Sequence, residues 1–539
     1  MSYLKDVASR WTGNLSTAQS EPIPGSAQVR NSAGGYTWAI DNWSRLHRFL
    51  VLGSEGGSYY ATERALTMEN ANAVVRCIEE DGTRAVRIIV AISEEGRAPK
   101  NDPALFALAL AASKGDAATR KLAMDALPRV ARTGTHLMHF AAFIDGQRGW
   151  GRGLRNAVAA WYGDKAARDV AYQALKYQQR DGWSHRDLLR LSHPRPVTDS
   201  HRALYHWIAK GWDWVGPEPH PDVALQRIWA FERLKRATDG AEVARLVREY
   251  RLPREAVPTQ FLNEAVVWES LLEEMPMTAL IRNLATLTRI GLLAPLGETA
   301  RRVSEQLTDE SRLRKARVHP IAVLAALKTY AQGRGERGHH TWEPVATVVD
   351  ALDSAFYLSF GNVAPTGKRW LLALDVSGSM TCGTVAGVPG LTPRVASAAM
   401  ALITAVVEPQ YQVLGFSDRF VPLPISPRQR LDDALKAVDN LPFSRTDCAI
   451  PMLWAMKNKV EADVFVIYTD SETWHGNVHP AQALRDYREK TGIAAQLVVV
   501  GMVSNGFSIA DPHDAGMLDV VGFDTATPQL ISDFAARKL

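Results

Sequence analysis

The sequence predicts two architectures in one chain: a long all-α region, followed by an α/β domain built on a mostly parallel sheet. Three observations support this prediction. The chain has 539 residues, which is too many for a single hydrophobic core. From about residue 41 to 358 apolar residues recur at helical spacing almost without interruption. From about residue 360 short apolar strands alternate with helices, which is typical of a parallel sheet covered on both faces.

The first 40 residues are predicted to form a loosely ordered N-terminal arm, because prolines and glycines stand among small polar residues there. Residues 41–360 contain short helices separated by small polar turns, such as Gly115-Asp116 and Gly134-Thr135. This pattern predicts stacked helix pairs of the HEAT or armadillo kind. No repeat of fixed period is visible, so a large helical bundle stays open as the alternative.

Residues 361–539 are predicted to form the doubly wound, Rossmann-like α/β domain. The predicted strands are 370–374, 411–416, 463–468, 495–501 and 518–522, and the predicted helices are 395–407, 430–438, 449–457, 480–489 and 527–536. Ligands of such sheets bind outside the carboxyl ends of the strands. Asp375 and Asp470 both fall at such ends.

A candidate metal site follows the first strand of this domain. Asp375, Ser377 and Ser379 place one carboxylate and two hydroxyls at alternate positions, which suits a hard divalent cation that keeps some of its waters. Asp470 brings a second carboxylate to the same sheet edge, and Thr446 lies in a polar loop before a predicted helix. The first three residues alone would also fit a serine-rich turn; the three segments together favour the metal site.

The same serines do not fit a nucleophile elbow. That motif needs Gly-x-Ser-x-Gly, and neither Ser377 nor Ser379 has a glycine at both flanking positions. A metal-dependent hydrolase is not excluded, because Glu472 and His475 follow Asp470 closely and could act as a general base.

Charge is distributed unevenly. Residues 361–539 carry 15 Lys plus Arg against 18 Asp plus Glu, which leaves 47 against 40 for residues 1–360. Within residues 148–195 there are 10 Lys plus Arg against 4 Asp and no Glu. A local basic surplus of this kind is the electrostatic footprint of a polyanion site, although a solvated helix face has the same composition.

Five side chains in this basic segment are candidates for RNA binding. Lys176 and Arg180 are predicted to project from one face of a helix that ends near Gly182. Ser184 and Asp187 then predict a capping box, which opens a helix that ends near His193-Pro194. The candidates are Lys176, Arg180, Arg186, Arg190 and His193.

Aromatic residues are interspersed with these cations and could stack on unpaired bases, as they do in proteins that bind single strands. Taken singly, each aromatic also fits a core position. The four residues concerned are Trp150, Tyr162, Tyr177 and Trp183.

Three cysteines, few and odd in number, argue against a disulfide framework and for a reducing compartment. No signal peptide or membrane span is visible, so a cytoplasmic location is expected.

Several longer stretches resemble the Ro autoantigen family, whose members join a TROVE domain to a von Willebrand factor A domain. The chain looks like a bacterial member, and the similarity covers nearly everything from about residue 41 onward. The stretches are Arg48–Tyr60, Gly182–His193, Glu274–Leu280, Pro365–Arg369 and Gly506–Asp511.

The resemblance implies a ring of HEAT-like repeats closed by the A domain. It further implies that Y-type small noncoding RNA binds the outer helical surface through Lys176, Arg180 and His193, and that single-stranded ends of misfolded or immature RNAs enter a central hole. It implies a metal-ion-dependent adhesion site for Mg²⁺, or alternatively Mn²⁺, with the ligands Asp375, Ser377, Ser379, Thr446 and Asp470. The chain departs from the family pattern before Thr446, where it has Ser444-Arg445 and relatives often carry two glycines.

The function expected from these observations is that of a non-catalytic RNA-binding protein in a small ribonucleoprotein. It would serve RNA quality control or processing together with an exoribonuclease partner, as a monomer away from membranes. The alternative is a metal-dependent protein-interaction scaffold, in which the A domain captures a partner's carboxylate and the helices are only a platform.

Overall fold

The structure is a computed structural model, and it describes residues 16–212, 216–335, 340–360, 363–388, 390–421, 423, 425–426, 429–439, 441 and 444–538. The described residues form two compact units. One joins the described residues up to Asn70 with those from Phe360 onward, and the other is Ala71–Ser359. The predicted division between residues 40 and 41 therefore falls inside the first unit.

The N-terminal segment is folded onto the α/β domain. Strands β1 (Val29–Arg30) and β2 (Tyr36–Ala39) form an antiparallel pair, and β2 also pairs with Phe507–Ser508. The fully buried Gln19 donates through Nε2 to Asp447 Oδ1 at 2.6 Å. The prediction of a loosely ordered arm is therefore wrong for residues 16–40, while residues 1–15 lie outside the described residues. Contacts to residues more than 400 positions away cannot be seen in local composition.

Helix α1 (Asn42–Leu52) follows, with Asp41 as its N-cap; the Asp41 carboxylate accepts from Ser44 N at 2.6 Å. Arg48 of this helix is buried and forms two hydrogen bonds with the Asp519 carboxylate, at 2.6 and 2.7 Å. It also donates to Phe507 O at 2.9 Å. These contacts attach α1 to the α/β domain.

The second unit is helical, as predicted. Helix α2 (Glu63–Glu95) begins before the unit boundary and breaks at Asp81, whose side chain accepts from Arg84 N and so caps the second half. The remaining elements are α3 (Asp102–Lys114), α4 (Ala117–Val130), α5 (Gly134–Asp145), α6 (Arg152–Gly163), α7 (Ala167–Lys176), β3 (Gln179–Arg180), β4 (Trp183–Ser184), α8 (His185–Ser192), α9 (Asp199–Lys210), α10 (Val223–Leu234), α11 (Gly240–Tyr250), α12 (Ala265–Leu272), α13 (Met277–Arg289), α14 (Glu298–Leu307), α15 (Glu310–Lys315), α16 (Pro320–Ala331) and α17 (Ala346–Leu358).

Helices of this unit pack on their near neighbours in sequence. Helix α3 packs on both α4 and α5, α4 packs on α6, and α6 packs on α8. Each helix thus shares its apolar face with the next layer, as in stacked helix pairs. Asp or Thr residues cap the N-termini of several of these helices, which explains why the helices begin where they do; these residues are Asp116, Thr133, Thr198 and Asp239.

The elements of the α/β domain are β5 (Arg369–Asp375), α18 (Pro393–Val407), β6 (Gln410–Phe416), β7 (Phe420–Val421), α19 (Leu431–Asp439), α20 (Ile450–Lys457), β8 (Val464–Thr469), α21 (Pro480–Thr491), β9 (Gln496–Gly501), β10 (Phe507–Ser508), β11 (Met517–Val521) and α22 (Thr527–Ala535). Six of the strands form one sheet in the order β11-β9-β8-β5-β6-β7, in which only β7 is antiparallel to its neighbour. The predicted strands and helices are confirmed to within two residues at each end. The short strands β7 and β10 were not predicted.

The core of this domain explains the position of the candidate metal site. Every residue of β8 and β9 is buried, because helices cover both faces of the sheet. Strand β5 pairs in parallel with β8, with Leu374 opposite Tyr468. The carboxyl ends of these two strands therefore lie side by side, and Asp375 and Asp470 reach the same edge.

Cys77, Cys382 and Cys448 are all free thiols. None of the helices in the described part of the chain is both long enough and apolar enough to cross a membrane.

Candidate metal centre and basic surface

Hydrogen bonds hold the loop after β5 in one conformation. The Asp375 carboxylate accepts from Ser377 N at 2.9 Å, and the Ser377 and Ser379 hydroxyls lie 3.2 Å apart. The other Asp375 oxygen accepts from the Thr469 hydroxyl at 2.7 Å. Asp375 is fully buried, with 0% exposure. Thr469 was not among the predicted site residues, yet its position one residue before Asp470 lets it orient the Asp375 carboxylate.

The second predicted segment meets the first. Ser379 hydrogen-bonds to the Asp470 side chain, which is only 4% exposed and also accepts from Glu472 N at 3.0 Å. The structure thus brings Asp375, Ser379 and Asp470 together at one sheet edge, as the sequence predicted.

The third segment is joined to the first by its backbone. Gly378 N donates to Ser444 O at 3.4 Å, and the Ser444 hydroxyl donates to Asp418 Oδ2 at 2.7 Å. Thr446 is buried, and its carbonyl accepts from His475 N at 3.0 Å. The loop with Thr446 therefore lies beside the other two segments.

The electrostatics of this edge favour a bound cation. Burial raises the pKa of Asp375, although hydrogen bonds from Ser377 and Thr469 and the charge of Arg394 oppose the shift. Burial, together with the charges of Asp375 and Glu472, raises the pKa of Asp470 to about 8. Two buried carboxylates that destabilise each other's ionised form are what a divalent cation would stabilise.

The donor set fits Mg²⁺. Carboxylate and hydroxyl oxygens are ligands that this ion accepts while it keeps several waters. Within the described residues no three His, Cys, Asp or Glu side chains converge as a metal cluster. A metal at this edge would therefore depend on the hydroxyls of Ser377, Ser379 and Thr446 besides the two aspartates.

Glu472 has a structural role in this unit. Its carboxylate is buried and accepts from Ala33 N at 3.1 Å and from Asn505 Nδ2 at 3.3 Å. A carboxylate held by these donors is less suited to act as a general base, so the hydrolase alternative loses support.

The basic segment differs from the prediction at one point. Helix α7 ends at Lys176, and Arg180 lies on β3, paired across a hairpin with Trp183. The turn residues Asp181 and Gly182 have φ values of 52° and 79°, as a type I′ turn requires. Lys176 and Arg180 therefore do not share a helix face, and the prediction that they do is wrong. The Asp-Gly pair is the signal that could have revealed the hairpin.

The helix after the hairpin is confirmed. Ser184 and Asp187 form the predicted capping box, and α8 ends at Ser192, followed by the C-cap residue His193 in the left-handed conformation, with φ of 48°. Arg186, Arg190 and His193 are exposed. His185, by contrast, is buried against the Tyr162 hydroxyl, and burial lowers its pKa to about 4.

The four aromatics behave differently from one another. Tyr162 is fully buried, so the hypothesis that it stacks on bases is wrong. Trp150 and Trp183 are half-buried and lie against each other, with ring centroids 5.3 Å apart. The Lys176 ammonium lies 5.5 Å from the ring centroid of Tyr177 and is itself half-buried.

The exposed arginines of this surface are not neutralised by carboxylates in the part of the chain that the structure describes. Among the described residues, Arg180, Arg186 and Arg190 form no ion pair. The five predicted residues thus occupy the end of α7, the hairpin and α8, and all of them except Lys176 are exposed.

Comparison with known proteins identifies both regions. A model of the TROVE domain matches residues 29–212 and 245–329, and a model of the Ro60 vWA domain matches residues 369–535. The RNA-binding protein RO60 of Deinococcus radiodurans is 47% identical over 510 residues, which cover 94% of this chain and 95% of that protein. The RNA-binding protein RO60 of Caenorhabditis elegans is 37% identical over 586 residues, with 95% and 90% covered.

A solved structure supports the same assignment. The crystal structure of the Deinococcus radiodurans RO (RSR) protein matches with a TM-score of 0.69 and 46% sequence identity, covering 93% of this chain and 100% of that one. With both domain models matched and relatives similar over nearly their whole length, the chain belongs to the Ro60 family, in which a TROVE domain is joined to a Ro60-type vWA domain.

Proposed function

We propose that this protein binds RNA and catalyses no reaction. The observation that carries the proposal is the surface formed by the hairpin and α8, where exposed guanidinium groups have no carboxylate partner among the described residues. Such groups are free to contact phosphates. Two relatives similar over most of their length are named RNA-binding proteins, which supports the same conclusion.

The RNA proposed for this surface is a small, folded, noncoding RNA of the Y type. Arg180 and His193 would contact its phosphates, and Lys176 would contribute at the edge of the surface. Arg186 and Arg190 lie four positions apart on α8, so they extend the same positive face. Contacts of this kind recognise the shape and backbone of a folded RNA more than its sequence.

A second binding mode is proposed for single-stranded ends of misfolded or immature RNAs. Together the two modes would serve RNA quality control or processing, with an exoribonuclease as the acting enzyme. The protein would work as a cytoplasmic monomer. The three free cysteines agree with a reducing compartment.

The metal centre supports a second candidate function. Mg²⁺, or alternatively Mn²⁺, held by Asp375 and Asp470 with the hydroxyls of Ser377, Ser379 and Thr446, would offer an open position to a carboxylate of a partner protein. A metal-dependent scaffold without RNA would use this site alone. Nucleic acid that copurifies with the protein and absorbs at 260 nm distinguishes the two functions.

The RNA-binding proposal is tested with the double variant Lys176→Ala/Arg180→Ala. We expect weaker binding of a fluorescently labelled small hairpin RNA, measured by anisotropy at several salt concentrations. Removal of one phosphate contact lowers the slope of log affinity against log salt by about 0.7 to 0.9. The far-UV circular dichroism spectrum should not change, because Arg180 is exposed and Lys176 makes no ion pair among the described residues.

The matched control is Lys121→Ala/Arg301→Ala, which removes two exposed helix cations elsewhere in the helical unit. If both double variants keep wild-type affinity and slope, the hairpin surface does not bind the RNA. An equal decrease in both would show only a general effect of net charge.

A further inference from the structure

A groove within the helical unit begins beside Lys176. Its volume is about 590 Å³, which lies within the range of roughly 300–1,000 Å³ that is typical of ligand sites. The groove lies between the end of α7, the end of α11 and the start of α13. Its floor is apolar and buried, and is formed by Val247, Leu252, Pro253, Leu271 and Met275.

The walls of the groove carry an excess of positive charge. Six cations line it, Lys176, Arg227, Arg248, Arg251, Arg254 and Arg282, against three carboxylates, Glu255, Glu273 and Glu274. Two of the carboxylates are engaged, because Arg248 contacts Glu273 at 2.7 Å and Arg251 contacts Glu274 at 3.6 Å. Four cations remain without an ion pair among the described residues, and one carboxylate opposes them.

Aromatic rings hold two of these cations in place. The Lys176 ammonium lies 5.5 Å from the ring centroid of Tyr172, and its nitrogen is 3.4 Å from the Tyr172 hydroxyl. The Arg227 guanidinium lies 5.2 Å from the same ring centroid and donates to Tyr250 O at 3.2 Å. A ring or a carbonyl positions a cation without cancelling its charge, so the positive potential stays available to an anion.

The other two unpaired cations are more accessible. Arg254 and Arg282 are exposed at the rim, and the Arg254 guanidinium lies 5.8 Å from the ring centroid of Trp268. The fork of N–H groups on arginine matches phosphate oxygens in pairs. The groove thus has two cations inside it and, at its rim, two guanidinium groups without an ion pair among the described residues. Four cations spread in this way suit a chain of phosphates better than a single anion.

We propose that this groove binds the phosphodiester backbone of a single-stranded RNA segment. The inference rests on the proposed RNA-binding function and locates a single-strand site distinct from the hairpin and α8. A volume of about 590 Å³ accommodates only a short stretch of a single strand. Lys176 then contacts RNA that lies in the groove, while Arg180 contacts RNA that lies on the β3–β4 hairpin of the protein.

The test uses the full-length variant Arg254→Ala/Arg282→Ala and a labelled decauridylate as the probe. We expect the affinity of this variant for decauridylate to be lower than that of the wild type by about tenfold or more, since charge-assisted hydrogen bonds to phosphate are removed. The salt slope should fall by about 0.7 for each contact removed. The affinity for a blunt hairpin RNA should stay at the wild-type value. Arg180→Ala should show the reverse: a lower affinity for the hairpin RNA and an unchanged affinity for decauridylate.

The remaining outcomes separate the two proposals. If the wild type binds the hairpin and the groove variant keeps its decauridylate affinity, the groove inference fails and the proposed function stands. Wild-type protein that binds neither RNA overturns both. An equal decrease in the control Lys121→Ala/Arg301→Ala, or displacement of decauridylate by decaglutamate at equal charge concentration, would show a generic anion effect and would also overturn the inference.

Discussion

The metal centre and the basic surface are built in opposite ways. The metal centre assembles Asp375 and Asp470, which come from different strands, and buries both carboxylates. The basic surface comes from the consecutive residues 176–193, and most of its cations are exposed. The first site exists only when the sheet is folded, whereas the second needs little more than one hairpin and one short helix.

The electrostatic states of the two regions differ as well. Burial raises the pKa of both carboxylates of the metal centre, and the charge of Asp375 adds to the shift at Asp470, so ionising both carboxylates without a cation is unfavourable. The exposed arginines of the basic surface are solvated and cost little without RNA. The metal-free centre therefore carries an unfavourable electrostatic contribution to folding that the RNA-free basic surface lacks.

The largest effect on stability is expected at Arg48. Unlike the exposed arginines of the basic surface, Arg48 is buried, and its partner Asp519 is partly buried. Arg48→Met removes the charged donor of that carboxylate, which then keeps only the hydrogen bond from the Ser508 hydroxyl, and it removes the Arg48 donor of the Phe507 carbonyl. We expect a decrease of about 3 kcal/mol in the free energy of unfolding of the α/β unit. Hydrogen exchange of peptides from β9 and β11 in increasing urea measures it.

The matched control is the same substitution at an exposed site, Arg186→Met, which should change stability by no more than about 0.5 kcal/mol. Similar urea midpoints for the two variants would contradict the conclusion that the buried Arg48 stabilises the attachment of α1 to the α/β domain.

An intermediate effect on the free energy of unfolding is expected when the pH is changed or the metal is removed. The pKa of Asp470 is about 8 in the folded protein, against 3.8 for an unperturbed aspartate. Between these values the folded state keeps a proton that the unfolded state has released, so metal-free protein becomes less stable as pH rises. We expect a decrease of about 2 kcal/mol between pH 6 and pH 8 in EDTA, and Mg²⁺ should restore stability at pH 8. Urea unfolding at both pH values measures it.

Asp375→Ala serves as the comparison variant. It removes a metal ligand together with the charge that adds to the effect of burial on the pKa of Asp470, so it should weaken the pH dependence and abolish the Mg²⁺ response. RNA affinity should remain at the wild-type value. A variant that still binds one Mg²⁺ in a calorimetric titration would rule out the ligand assignment.

The smallest effect is expected at the hairpin turn. Gly182 has a φ of 79°, and a Cβ added there would meet no atom within 4 Å. Gly182→Ala should therefore cost only the backbone strain, about 1 kcal/mol. Because the turn positions Arg180, hairpin RNA affinity should fall slightly, while binding of decauridylate in the groove should not change. The same decrease for both RNAs would mean that the turn supports the whole helical unit.

The elements of the α/β domain could be predicted closely from sequence, because the signals for each strand and helix lie within that element. The run Val464–Ile467 is apolar throughout and follows the polar Asp463, and Pro393 and Pro480 stand in the first turns of their helices. The carboxyl-edge positions of Asp375 and Asp470 then follow from the parallel topology.

What the sequence did not reveal depends on long-range or competing signals. Gln19 and Asn31 are buried through contacts with residues 447 and 473, so their neighbours in sequence carry no sign of it. The hairpin was missed because the spacing of Lys176 and Arg180 also fits a helix. Tyr162 is on a helix with an exposed and a buried face, and burial could be assigned only once its contact with His185 was known.

The discontinuity of the first unit has a consequence for synthesis. The described residues up to Asn70 complete their contacts only with residues beyond Phe360, and all of Ala71–Ser359 is translated in between. At ribosomal rates of about 5–20 residues per second, this interval lasts roughly 15 to 60 s. During that time β2 has no partner in β10, and Arg48 has no carboxylate. The helical unit, whose contacts are mostly between near neighbours, can fold on the ribosome first, and the α/β unit can be completed only after its second segment has emerged.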